Sequence, residues 1–166
     1  MSTKENLQRA LAEESKNRER YLAFAEAADA EGAGQVARLF RAAAESERIH
    51  ARVELRALGE VRSTVENVRQ AVDIEEKEFQ DTYARFLREA RAEGDQKAAR
   101  LFGNILDVER GHHKLFREVL TSLLGEEDIP EAPILVCDTC GNTAVGEAPA
   151  TCPVCGASSE HFAEIA

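Results

Sequence analysis

Residues 38–50 read RLFRAAAESERIH, and residues 100–112 read RLFGNILDVERGH. Both stretches open on Arg-Leu-Phe and close on Glu-x-x-His, and the shared positions lie 62 residues apart. The same spacing joins Tyr21 to Tyr83 and Glu31-Gly32 to Glu93-Gly94. The chain has only two tyrosines and four histidines, so an alphabet biased toward Ala, Glu and Arg does not account for the matches. Two copies of so long a period do not make a solenoid. They read as one helical hairpin duplicated, giving a bundle with approximate twofold symmetry.

Working outward, residues 1 to about 125 read as four helices. All four prolines come after Gly125, and strong helix formers dominate before it. The first helix runs from Ser2 or Thr3 to Ala30, with those two residues as candidate N-caps and Glu5 in the first turn. The second runs from Gln35 to Leu58. The third begins at Ser63-Thr64, where Ser63 and Glu66 have capping-box spacing, and ends at Glu93-Gly94. The fourth runs from the cap Asp95 to Leu124. Short connections favour antiparallel neighbours.

The chain has 166 residues and a formal charge of -10. That balance disfavours nucleic acid as a partner. No apolar run approaches the roughly 20 residues of a membrane span, and the N-terminus has no apolar signal core, so a cytoplasmic protein is expected. The charge is uneven. Residues 1–117 hold all 21 basic residues against 22 acids, whereas residues 118–166 hold nine acids and no base. A near-neutral domain (1–125) is therefore expected to join a small acidic one (137–166) through the Pro- and acid-rich linker 126–136. Thirty residues bury too little apolar surface to fold alone.

The cysteines supply what is missing. Cys137-x-x-Cys140-Gly141 and Cys152-x-x-Cys155-Gly156 use every cysteine in the chain. Such knuckles aim two thiolates each at one metal, and four thiolates give tetrahedral coordination that contributes folding energy. Zinc and iron both accept this donor set, so a structural zinc ribbon and an iron site stay open on these residues.

A second metal-ligating pattern lies in the helices. Glu47/His50 and Glu109/His112 each put a carboxylate and an imidazole on one helix face. Both glutamates lie along apolar stripes, with Phe40, Ala43, Ala44 and Ala51 around Glu47 and Phe102, Ile105, Leu106 and Phe116 around Glu109. Buried carboxylates must be neutralised. In the first helix Glu14 faces inward and Glu13 outward. In the third, Glu75 and Glu78 share the apolar face. Glu76 is placed outside, although it is the strict 62-residue mate of Glu14. One inward Glu from each of two helices plus Glu-x-x-His from each of the other two is the ligand pattern of a di-iron or di-manganese carboxylate bundle. Glu78 would be an additional ligand favouring one metal. His113 turns away from His112 and reads as peripheral, and His161 as a packing or surface residue. Tyr21 and Tyr83 read as core, or as hydroxyls bonding to metal ligands.

These residues closely resemble the rubrerythrin family. The pieces are Glu14-Ser15 with Arg18-x-x-Tyr21, Glu31-Gly32, Glu47-x-x-His50-Ala51, Glu75-x-x-Glu78, Tyr83, Glu93-Gly94, Glu109-x-x-His112, and the two cysteine knuckles with His161-Phe162. The resemblance implies an all-α four-helix ferritin-like bundle followed by a small rubredoxin-like, metal-stabilised β/loop domain. It implies two irons held by Glu14, Glu47, His50, Glu75, Glu78, Glu109 and His112. A third iron is held by Cys137, Cys140, Cys152 and Cys155, with zinc an occupant in recombinant protein. The implied activity is a peroxidase reducing hydrogen peroxide to water in oxidative stress defence, with electrons entering from an NAD(P)H-linked reductase or a rubredoxin. Glu78 and His50 would alternate as ligands of one iron, with Tyr21 and Tyr83 as further catalytic candidates. A homodimer is implied, the cysteine centre of one subunit lying near the di-iron site of the other. A ferroxidase or oxygen-reducing di-iron protein, or a non-enzymatic metal binder with a zinc ribbon, are the competing functions. Glu13 departs from the family in replacing the glycine usual before the first ligand, and the connection between the second and third helices is short.

Overall fold

The computed structural model describes Ser2–Gly125 and Glu127–Ala166. Met1 and Glu126, which bound two of the expected segments, lie outside the described residues. The chain divides into two compact units, Met1–Arg62 and Ser63–Ala166.

The first unit is a hairpin of α1 (Thr3–Ala30) and α2 (Gly34–Ala57). Ser2 and Glu5 form the capping box of α1, each satisfying a backbone N–H of the other. The turn between the helices uses Gly32 in the left-handed region (φ 76°), where a side chain would be strained. Ala25, Ala28 and Ala37 are buried with Ala33 and Phe40 packed on them, so small side chains let the two backbones approach closely.

The second unit carries the other hairpin and the cysteine domain. Its first arm is α3 (Thr64–Lys77), a π-helical turn (Glu78–Thr82) and α4 (Tyr83–Glu93). Its second arm is α5 (Gln96–Leu124), capped by Asp95, whose carboxylate accepts from the Ala98 N–H. Ser63 and Glu66 form the expected capping box. Gly94 turns the chain with the same φ of 76° as Gly32.

The duplication is visible in the packing. Tyr21, Phe24 and Phe40 form an aromatic triplet, with Phe24 and Phe40 5.5 Å apart. Tyr83, Phe86 and Phe102, each 62 residues on, form the matching triplet, with Phe86 and Phe102 5.4 Å apart. The N-terminal parts of the hairpins follow a different offset. The capping boxes Ser2/Glu5 and Ser63/Glu66 are 61 residues apart. The π turn reconciles the two, because an i→i+5 turn, closed here by the Tyr83 N–H on the Glu78 carbonyl, holds one residue more than an α turn. The third predicted helix is therefore interrupted, and a single offset of 62 holds only from Tyr83 onward.

After the helices come β1 (Ile134–Cys137), β2 (Thr143–Val145) and β3 (Phe162–Glu164), an antiparallel sheet in the order β2-β1-β3. β1 begins inside the segment expected as linker. Among the described residues no helix is long and apolar enough to cross a membrane.

Candidate metal centres

In the first unit, Glu14 on α1 meets Glu47 and His50 on α2, with one ligand atom from each lying within 4.8 Å of the others. His50 Nδ1 is 3.3 Å from Glu47 Oε2 and 3.5 Å from Glu14 Oε2. The Glu47 carboxyl is raised above its ordinary value, first because it shares a proton-mediated contact with Glu14 and then by burial. The same two carboxylates raise His50. Two carboxylates pressed together with one imidazole is a donor set that a cation would relieve.

In the second unit, Glu75 on α3 meets Glu109 and His112 on α5 within the same 4.8 Å limit. His112 Nδ1 is 2.9 Å from Glu109 Oε2 and 3.9 Å from Glu75 Oε2. Burial, followed by the charge of Glu109, pushes the Glu75 carboxyl up to about 7. Its Oε2 is buried and accepts no hydrogen bond, an orphaned oxygen of the kind a metal would satisfy. Glu75 occupies the place that Glu14 holds in the first unit, at an offset of 61, because it precedes the π turn. Glu76 is exposed and accepts from Gln80.

Glu78 opens the π turn and stands outside the tight triad. Its carboxyl is raised by burial and then by Glu109, and lowered by His112, so it lies within their electrostatic reach. The Tyr83 hydroxyl is raised by burial, then by Glu78 and Glu109. Tyr21 heads the aromatic triplet of the first unit. His113 packs on Phe79 at 5.2 Å, and His161 bonds to Asp138 at 2.8 Å.

The four thiols lie close together and unbonded. Cys137 and Cys155 sulfurs are 3.8 Å apart, and Cys140 and Cys152 sulfurs 3.6 Å apart. A tetrahedron with metal–sulfur distances of about 2.3 Å has edges of about 3.8 Å, so the spacing fits one ion. The knuckles are near copies. Gly141 N–H donates to the Cys137 carbonyl at 2.8 Å and Gly156 N–H to the Cys152 carbonyl at 3.0 Å, both glycines at φ above 80°. Burial pushes Cys140 up to about 12, whereas backbone N–H groups of Cys155 and Val154 overcome burial and bring Cys152 down to about 7. The thiols of one cage thus differ in how readily they ionise, and a cation would favour the thiolate form of all four.

Two further residues lie beside these centres. Glu54, one helix turn beyond His50 on α2, carries a buried Oε2 with no hydrogen-bond partner, and burial and then Glu14 raise its carboxyl. Its i+4 spacing from His50 is legible in the sequence, but its 62-residue mate is Phe116, so the repeat draws attention away from it. Thr143 at the start of β2 has its Oγ1 3.0 Å from His112 Nε2. The cysteine cage therefore has an own-chain neighbour in the second triad, in addition to the cross-subunit neighbour the resemblance implies.

A helical protein with carboxylate–histidine triads in duplicate and a four-thiolate cage is a non-haem metalloprotein with two kinds of metal site. The rubrerythrin family pattern matches residues 5–120, and the pattern for the rubrerythrin rubredoxin-like domain matches residues 136–163. The chain belongs to the rubrerythrin family, a family of oxidoreductases, and carries its di-iron and four-cysteine iron sites. It is 30% identical over 174 residues to rubrerythrin-2 of Clostridium acetobutylicum, covering 96% of this chain and 95% of the relative. It is 30% identical over 175 residues to nigerythrin of Nitratidesulfovibrio vulgaris, covering 97% and 85%. Among solved structures, nigerythrin in its mixed-valent state matches with a TM-score of 0.58 at 30% identity, over 99% of this chain and 87% of that one.

Proposed function

We propose that this chain is a non-haem di-iron peroxidase that reduces hydrogen peroxide to water, with electrons passed through its four-cysteine iron centre. The observation that carries the reading is the occurrence, in one chain, of two Glu/Glu-x-x-His triads and a thiolate cage at tetrahedral spacing. Each peroxide consumes two electrons and two protons and yields two waters.

Glu14, Glu47 and His50 would hold iron in the first unit, and Glu75, Glu109 and His112 in the second, with Glu78 as the further ligand. Iron held there would supply Lewis acidity and the two electrons that peroxide reduction requires. The chain supplies protons and orientation. Glu78, raised by burial and by Glu109, holds a carboxyl proton more readily than an exposed glutamate and stands beside the triad to deliver it. Tyr83, raised by burial and the same two carboxylates, keeps its hydroxyl proton and serves as a donor rather than a phenolate. Tyr21 and His50 would be the further catalytic residues of the first unit, with His50 and Glu78 alternating as iron ligands.

Residues 1–125 act as the ferritin-like domain, 126–136 as the linker and 137–166 as the rubredoxin-like domain. The protein works as a homodimer in the cytoplasm, where reducing conditions keep unpaired thiols available for metal. Residues 118–166 hold nine acids and no base, so the electron donor, an NAD(P)H-linked reductase or a rubredoxin, presents a basic patch to Asp138, Glu147 and Glu160, all exposed. The test is turnover of iron-loaded protein supplied with reductant, peroxide against dioxygen. Faster consumption of peroxide supports the reading. Faster consumption of dioxygen makes the protein an oxidase, and loss of neither makes it a metal binder.

A further inference from the structure

The two triads differ in what lies behind the histidine. In the first, His50 Nε2 meets Ser46 Oγ at 3.4 Å, a hydroxyl one turn back on the same helix. The repeat mate of Ser46 is Val108, so α5 has no hydroxyl to offer His112. Val108 is instead buried and seats the cysteine domain, since a Cβ on Gly141 would stand 4.0 Å from its Cγ1. Two residues beyond Gly141, Thr143 brings a hydroxyl 3.0 Å from His112 Nε2. The contact borders a cavity of about 380 Å³ whose walls include Leu115, Phe116 and Val119, so the bond sits against largely apolar surroundings.

We propose that Thr143 is a positioning residue for His112. It holds the imidazole ring with Nε2 against β2 and Nδ1 turned toward Glu109 and Glu75. This rests on the dinuclear reading above.

The chemistry follows from which nitrogen faces which group. Nδ1 faces the carboxylates, 2.9 Å from Glu109 and 3.9 Å from Glu75. A metal among them requires a bare Nδ1, and a neutral imidazole then carries its proton on Nε2. That N–H needs an acceptor, which Thr143 Oγ1 provides. When Nδ1 carries the proton it donates to Glu109, and the same hydroxyl turns to donate to Nε2. A hydroxyl serves both states because it donates and accepts. Valine serves neither, and serine serves both. The bond also ties the loop that carries Cys140 to the triad, through Gly141, Asn142 and Thr143.

The test compares Thr143→Val and Thr143→Ser in full-length protein loaded with zinc at both sites. Nitrogen-15 NMR should show the His112 Nε2 proton protected from exchange with water in wild type and Thr143→Ser, and exchanging faster in Thr143→Val. Removing an outer partner of a ligating histidine typically costs about 10- to 100-fold in metal affinity, so competition titration with zinc should show that loss in Thr143→Val and recovery in Thr143→Ser. Normal red absorbance of the same variants loaded with iron shows the cysteine domain intact. Equal zinc affinity and equal protection of the Nε2 proton in Thr143→Val would overturn the proposal alone. Wild-type protein that takes up no zinc outside the cage would overturn the dinuclear reading and this proposal with it.

Discussion

Replacing Glu75 by glutamine should make the metal-free carboxylate site more stable and the metal-loaded site weaker. In the fold without metal, burial and Glu109 push the Glu75 carboxyl from 4.5 up to about 7. At 1.36 kcal/mol per tenfold change in proton affinity, that gap corresponds to about 3 kcal/mol. The folded state holds the proton more tightly than the unfolded one. Its relative stability is therefore fully present below about pH 4.5 and is lost as pH rises through about 7. Because Glu75 and Glu109 titrate as a pair, the loss belongs to both. Glu75→Gln carries no such charge. At about pH 8 the metal-free variant should exceed wild type by about 3 kcal/mol, or roughly 6–12 °C in melting temperature for a chain this long, and the two should converge near pH 4.5. The assay is thermal and urea unfolding across this range, with iron kept in the cysteine cage and the carboxylate site stripped. Parallel stability curves would refute the claim that the ionised carboxylates are pressed together at a cost that a proton or a metal offsets.

Glu54→Leu should likewise stabilise the metal-free protein, by about 1 kcal/mol, since it removes a buried oxygen without a partner; a melting temperature that does not rise counts against that placement. Deleting Gln80 from the π turn should leave helicity and metal uptake intact, because Glu78–Thr82 holds one residue more than an α turn. Deleting Ala71 within α3 should instead rotate the preceding part of the helix by about 100° relative to Glu75 and lower the stability of the hairpin, so a circular-dichroism melt separates the two. Electron transfer into the cage should slow as salt is raised, because residues 118–166 hold nine acids and no base; rates independent of ionic strength would contradict the proposed docking face.

Much of this was legible in the sequence because the duplication states it twice. Tyr21 and Tyr83, or Glu47/His50 and Glu109/His112, are each weak alone, but a shared spacing turns them into a fold. The capping boxes and the cysteine knuckles are local chemistry, complete within three or four residues. The π turn has no comparable signal. Phe79, Gln80, Asp81 and Thr82 are ordinary helix residues, and only the change from an offset of 61 at the caps to 62 at the tyrosines betrays it. That slip is why the strict mate of Glu14 is exposed Glu76 while the triad uses Glu75. Thr143 lies 31 residues from His112, and nothing short of the fold brings them together.

The most direct measurement is an anaerobic single mixing of fully reduced, iron-loaded protein with hydrogen peroxide, followed by optical spectroscopy. A di-iron peroxidase fed through the cage should reoxidise the carboxylate site rapidly, with the red colour of the oxidised cage returning afterwards as electrons drain from it, and two electrons consumed per peroxide. Reduced protein that peroxide leaves unchanged while dioxygen reoxidises it would contradict the account.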